Sequence, residues 1–255
     1  MKWKPEQYLI FEKERTQPSL DLMMRIEKED PDKIIDMGCG PGNSTFGLKN
    51  RWPKAYIVGL DNSDEMLAQA RKKFSGIEWL KYDMSRDLSK IGKFDIVFSS
   101  AAVQWVEDKV SLINGMFEML NTNGILAVQV PYPVNLKFKA EIKKTAFSDK
   151  WAKYFSGFVP RPEFHDYEYY YGIISKLTDK VSIWKTEYVH IMTHEDIVEW
   201  DKGTGANPYL EMLPSEELRK DFLNDYLNAL KEVYPLGENK KALVPFTRIF
   251  FTANK

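Results

Sequence analysis

The chain contains one cysteine, Cys39, in 255 residues, so no disulfide closes within it. This excludes the small disulfide-stapled scaffolds and suits a reducing compartment. Histidine is also scarce. His165, His190 and His194 are scattered without metal-ligand spacing, and no metal site is expected. Neither sign of charge is in excess, with 36 Lys and Arg against 37 Asp and Glu. That argues against a protein whose task is to coat nucleic acid. No run approaches the roughly 18 apolar residues of a membrane span. The opening stretch MKWKPEQYLIFEKERTQ is broken by charges every few residues, unlike a secretory leader. No repeat of a 20–50 residue period and no low-complexity segment is visible. The expectation is a cytoplasmic chain with neither a membrane nor a nucleic-acid partner; the sequence leaves its oligomeric state unknown.

What is present is the composition of an ordinary globular protein, with 44% hydrophobic and 29% charged residues. The length suits one large α/β domain. In the first half, short β-branched runs recur: KIIDMG, AYIVGLD, IEWLKYD, FDIVFSS and GILAVQVP. Each reads as a buried strand. Helical patterns lie between them. SDEMLAQARKKF places Met66, Leu67, Ala70 and Phe74 on one face, with Ser63 as N-cap. DKVSLINGMFEML repeats at the same spacing, and NTNG is expected to end that helix. Strand and helix in alternation predict a parallel sheet with right-handed crossovers.

The second half reads differently. The lysines of 137–153 look like a solvated face, and HDYEYYYG is rich in aromatics. KVSIWKTEYVHIM predicts a long strand and FTRIFFTANK a closing one. Between them, Thr193 and Asp196 are spaced for a capping box. PSEELRKDFLNDYLNALKEV carries Leu218, Phe222, Tyr226 and Leu230 on one stripe. The whole chain, 1–255, is expected to be one domain, with a core over about 30–131. A helical insert, about 193–243, is expected to form a cap.

The stretch IIDMGCGPGNS sets Gly38, Gly40 and Gly42 within five positions, where a strand turns into a helix. Glycine there permits a sharp turn and a close approach of ligand to backbone. The following helix N-terminus favours an anionic group. The spacing is G-x-G-x-G, not the G-x-G-x-x-G of a dinucleotide site, and no phosphate-binding P-loop motif exists. A nicotinamide-dependent dehydrogenase is therefore disfavoured. Asp61 closes the second strand, where a carboxylate can accept both hydroxyls of a ribose. Asp83, in WLKYDM, closes the third and is placed to meet an adenine amine. Cys39 reads as a small loop residue.

The series IIDMGCGPGNS, GLDNSDEM, KYDM and FDIVFSSAAVQWV resembles the successive motifs of class I S-adenosylmethionine-dependent methyltransferases. The resemblance implies a Rossmann-like class I fold: a seven-stranded, mostly parallel sheet with a helical insert. It also implies S-adenosylmethionine as cofactor. Asp36, Gly38, Gly40 and Gly42 would hold its methionine part, Asp61 with Asn62 the ribose, and Asp83 with Met84 the adenine. Ala101 and Gln104, after the fourth strand, would face it. Over most of the chain, YLIFEKERTQP, VQWVED, IWKTEYVHIM, EWDKGTGANPYL and PLGENKKALVPFTRIFF resemble the trans-aconitate methyltransferases. That family methylates a carboxylate of a small polycarboxylic acid. One position departs from it: Asn207 stands where the family has an arginine.

A carboxylate is already nucleophilic at neutral pH, so esterification needs no strong base, metal or covalent intermediate. Orientation and exclusion of water supply the catalysis, and no catalytic residue is singled out. Arginine grips carboxylates bidentately, which makes Arg15, Arg161 and Arg248 candidate substrate residues. His190 is a candidate hydrogen-bond donor and Tyr171 a candidate pocket wall. Alternatives are methylation of another small molecule or of a carrier-protein-bound acid, and a non-catalytic cofactor-binding protein.

Overall fold

In a computed structural model of the chain, residues 11–133, 136–159 and 162–255 are described. Strands and helices alternate through the first half. The order is α1 (Glu12–Met24), β1 (Lys33–Met37), α2 (Asn43–Arg51), β2 (Tyr56–Asp61), α3 (Asp64–Lys73), β3 (Glu78–Lys81), β4 (Phe94–Ser100), α4 (Lys109–Glu118) and β5 (Leu120–Pro131). The rest comprises α5 (Lys137–Ala146), α6 (Tyr167–Ile174), β6 (Val181–Met192), α7 (His194–Lys202), α8 (Asn207–Met212), α9 (Glu216–Val233) and β7 (Ala242–Asn254). The seven strands form one sheet in the order β3-β2-β1-β4-β5-β7-β6. The first five pair in parallel, and β7 runs antiparallel to β5. The expected mostly parallel, seven-stranded α/β fold is what forms.

Two compact units divide the chain. One holds Glu12–Tyr132, Phe164–Thr186 and Arg248–Lys255; the other holds Phe11, Pro133–Glu163 and Glu187–Thr247. The helices expected over about 193–243 all fall in the second, which takes in 133–163 as well.

Strands β1, β2, β4 and β5 are buried on both sheet faces and are near-continuous apolar runs, whereas β3, expected to be buried, lies at the sheet edge and stays partly exposed because only one neighbour covers it. Ile35, Met37, Leu60, Val97, Leu126 and Val128 are fully or almost fully buried in one cluster with the α4 residues Ile113 and Met116. Helix α3 starts as expected, with the Ser63 side chain accepting from the Met66 N–H. NTNG does not form a loop after α4; it already belongs to β5, with Asn123 at φ 59°. The strand begins straight after the helix and absorbs the turn residues.

In the helical unit the core is aromatic. Trp151 meets Phe222 edge-on, with centroids 5.3 Å apart, and Phe155 packs on Phe222 and Tyr209. Such rings combine large buried area with favourable edge-to-face geometry. Thr193 and Asp196 form the expected capping box. Phe222, Tyr226 and Leu230 of α9 are fully buried. Lys139 departs from the solvated-face reading, since it pairs with the fully buried Asp201. A buried carboxylate needs a cation close by, and α5 supplies it.

Candidate active site

Strand order reverses between β1 and β4, so the loops leaving their carboxyl ends part and open a crevice there. The loop after β1 carries Gly38, Gly40 and Gly42 at φ 75°, 54° and 90°, a region that strains any other residue. The three serve different ends. A Cβ on Gly38 would collide with Cβ of Ala102, and one on Gly42 would stand 2.6 Å from the Trp79 ring. A Cβ on Gly40 would meet nothing within 4 Å. Gly38 and Gly42 let the protein pack on its own backbone, whereas Gly40 borders open space. Gly42 also caps α2 without any side-chain bond to the helix N–H groups.

Asp36, on β1, is fully buried. Its Oδ2 accepts from the Ser44 hydroxyl at 2.6 Å and the Thr45 hydroxyl at 2.7 Å. Its Oδ1 is buried with no partner. Burial pushes its pKa up to about 6 against the lowering effect of the two hydroxyls, and the nearby Asp61 adds to the rise. A half-satisfied buried carboxylate is poised for a cationic donor.

Asp61 ends β2. Its Oδ2 accepts from Gly40 N at 2.8 Å and its Oδ1 from Ser63 N at 2.9 Å. Burial raises its pKa, opposed by those backbone N–H groups. A carboxylate has about four acceptor positions, so Asp61 braces the glycine loop and keeps capacity for further donors. Asn62 beside it is exposed. Asp83 lies two residues beyond β3 rather than at its end, because the strand stops at Lys81. Its Oδ1 accepts from both the backbone and the hydroxyl of Ser85, which hold its pKa down. The Met84 methyl lies 3.8 Å from where a Gly38 Cβ would be. Past β4, Ala101 adopts φ 56°, a strained value for a residue with a Cβ. Gln104 Nε2 donates to the Ala101 carbonyl at 2.7 Å, while its buried Oε1 has no partner.

The strand-rich unit thus gathers all ten cofactor candidates at the carboxyl ends of β1 to β4. The substrate candidates divide. Arg248 is buried in β7, opposite Pro131 of β5. Arg15 lies on α1, on the helical face of the buried Ser19 and Leu22. Tyr171 is 52% exposed on α6, and its neighbour Tyr170 fills the core instead. His190 belongs to the helical unit, buried against Trp200 with centroids 4.9 Å apart. Arg161 lies outside the described residues. Asn207 opens α8 and lines a cleft of about 630 Å³ with Arg219 and Lys220. Cys39 is buried, and desolvation raises its thiol pKa.

Residues 28–194 match a family described as a methyltransferase domain. The chain is 36% identical to a trans-aconitate 2-methyltransferase of Enterobacter sp. (strain 638), over 99% of this chain and 98% of that protein. It is 35% identical to the trans-aconitate 2-methyltransferase of Rhodopseudomonas palustris (strain BisA53), over 99% of each. The chain belongs to the trans-aconitate methyltransferase family. A solved structure, the YcgJ protein of Bacillus subtilis, shares the fold: TM-score 0.60, 14% identity, 94% of this chain and 98% of that one.

This chain is therefore an S-adenosylmethionine-dependent methyltransferase, and its residues fit the cofactor. The orphaned Asp36 Oδ1 suits a cationic amine, Gly40 leaves open space beside bare backbone, and Asp61 retains acceptor capacity. Sequence reasoning missed Ser44 and Thr45, although their place at the start of the helix after the loop was a usable signal. It also missed Gln129, a buried glutamine inside an apolar strand. Among the described residues no cluster of His, Cys, Asp or Glu is arranged to hold a metal, and no helix is long and apolar enough to cross a membrane.

Proposed function

We propose that the protein forms a methyl ester on a carboxylate of a small polycarboxylic acid such as trans-aconitate. The observation that carries this reading is the near-full-length similarity to trans-aconitate 2-methyltransferases, C-terminal segments included. In the strand-rich unit, the buried Arg248 is consistent with recognition of an anion.

When bound, S-adenosylmethionine supplies a methyl group on a sulfonium, which departs as a neutral thioether. Asp36 would hold its amino group, the Gly40 backbone would border its methionine part, and Asp61 and Asp83 would take the ribose and adenine. A carboxylate oxygen of the acid forms the new C–O bond with its own lone pair. No proton moves, so the enzyme's task is to orient the two reactants and exclude water.

Transfer of a labelled methyl group to a panel of small di- and tricarboxylic acids tests the reading. The expected product is alkali-labile, as a methyl ester is. An alkali-stable product, or no transfer to any acid, overturns it. Arg248→Ala is expected to raise KM for the acid well above its effect on cofactor affinity.

A further inference from the structure

On the sheet face that carries Asp36, strand register brings polar side chains together at the carboxyl ends. Asp36 pairs with Phe98, Phe98 with Ala127, and Ala127 with Thr252. Two residues further along, Ser100 pairs with Gln129 and Gln129 with Phe250; beyond them Pro131 pairs with Arg248. Side chains alternate along a strand. Ser100, Gln129 and Arg248 therefore share the face of Asp36. Gln129 and Arg248 are diagonal neighbours, close enough for long side chains to reach one another.

Gln129 is 1% exposed. Its Oε1 accepts from the Ser100 hydroxyl at 3.0 Å, and its Nε2 is buried with no partner. Its backbone carbonyl accepts from the N–H of the strained Ala101 at 2.9 Å, which fastens it to the loop that carries Gln104. An amide donor left unpaired in an apolar strand is costly to keep. Ser100 fixes the amide's orientation, so the NH₂ group is aimed rather than free to turn. The residue stands one strand beyond the loop expected to face the cofactor, on the side of Arg248.

We infer that Gln129 is a specificity-determining residue whose Nε2 donates a hydrogen bond to a carboxylate of the acid acceptor. The inference rests on the carboxyl-methyltransferase reading above. A neutral donor suits this position. A cation against the reacting oxygen would draw charge from the nucleophile and repel the sulfonium, whereas an amide orients the oxygen and leaves its charge in place.

The test compares the full-length wild type with Gln129→Leu, Gln129→Glu and Ser100→Ala. It measures KM and kcat on di- and tricarboxylic acids and the affinity for S-adenosylhomocysteine. Gln129→Leu is expected to raise KM for the acid about tenfold, while S-adenosylhomocysteine affinity stays within about twofold. Gln129→Glu is expected to lose more, and most with the most highly charged acid. Ser100→Ala gives a smaller rise in KM and carries the test if the Gln129 variants do not fold. An unchanged KM, or an equal loss of S-adenosylhomocysteine affinity, overturns the assignment while the acid reading stands. If the wild type binds S-adenosylhomocysteine but methylates no acid, the reading falls and this assignment with it.

Discussion

Polar groups are buried in opposite ways at Asp201 in the helical unit and at the strand ends of the strand-rich unit. In the helical unit the fully buried Asp201 is satisfied from inside the chain, by Lys139 on one oxygen and the Tyr226 hydroxyl on the other. The partly exposed Asp225 there likewise receives both Lys150 and the Trp151 indole. In the strand-rich unit, Asp36 Oδ1, Gln104 Oε1 and Gln129 Nε2 are buried with no partner. Burying an unpaired polar atom costs about 1–3 kcal/mol. Asp201 is completed within the chain, whereas Asp36, Gln104 and Gln129 stand together at the strand ends with an atom left open, which is where ligands are expected to complete them. Buried polarity alone does not mark a site; unpaired polarity at the carboxyl ends of parallel strands does.

The largest effect is expected at the glycine loop. Gly38→Ala places a Cβ on Ala102 and demands φ 75° of alanine. Together these cost about 3–4 kcal/mol of stability, measured by chemical denaturation, and cofactor binding is expected to be lost with them. Next, Asp201→Ala leaves Lys139 without its counter-charge and is expected to cost about 3 kcal/mol of stability. Calorimetry on the remaining folded protein should show unchanged cofactor affinity. A specific loss there would mean that the helical unit's paired groups also serve the ligand. Asp61→Ala should weaken S-adenosylmethionine binding by about 1–3 kcal/mol. Asp61→Asn should keep part of that affinity, since an amide oxygen still accepts from Gly40 N.

Much of this was legible in the sequence, for physical reasons. Parallel strands buried on both faces must be apolar runs, and a φ above zero selects glycine, so KIIDMG and the loop after it declared both fold and crevice. The cap of α3 and the capping box of α7 were readable because each is a local bond between near neighbours. What could not be read depends on distance in sequence. Lys139 looked like one of a row of solvated lysines, because its partner Asp201 lies 62 residues away. Gln129 went unmarked within GILAVQVP, because the face it takes depends on the register with Ser100 of a different strand. NTNG carried turn residues, yet β5 begins before them.

Asp36 offers the most direct test of the comparison, because one group links pH, stability and ligand. Its folded pKa is about 6, raised from 3.8 by burial. Its contribution to the stability of the cofactor-free protein is therefore fully present below about pH 4 and lost as pH rises through about 6. Cofactor affinity runs the other way, since only the ionised carboxylate suits a cationic amine. Calorimetric titration with S-adenosylmethionine between pH 5 and pH 7 is the decisive measurement. Binding is expected to tighten roughly tenfold over that interval, and Asp36→Asn is expected to abolish the dependence. A flat wild-type profile would contradict the claim that the orphaned oxygen of Asp36 awaits the cofactor's amine.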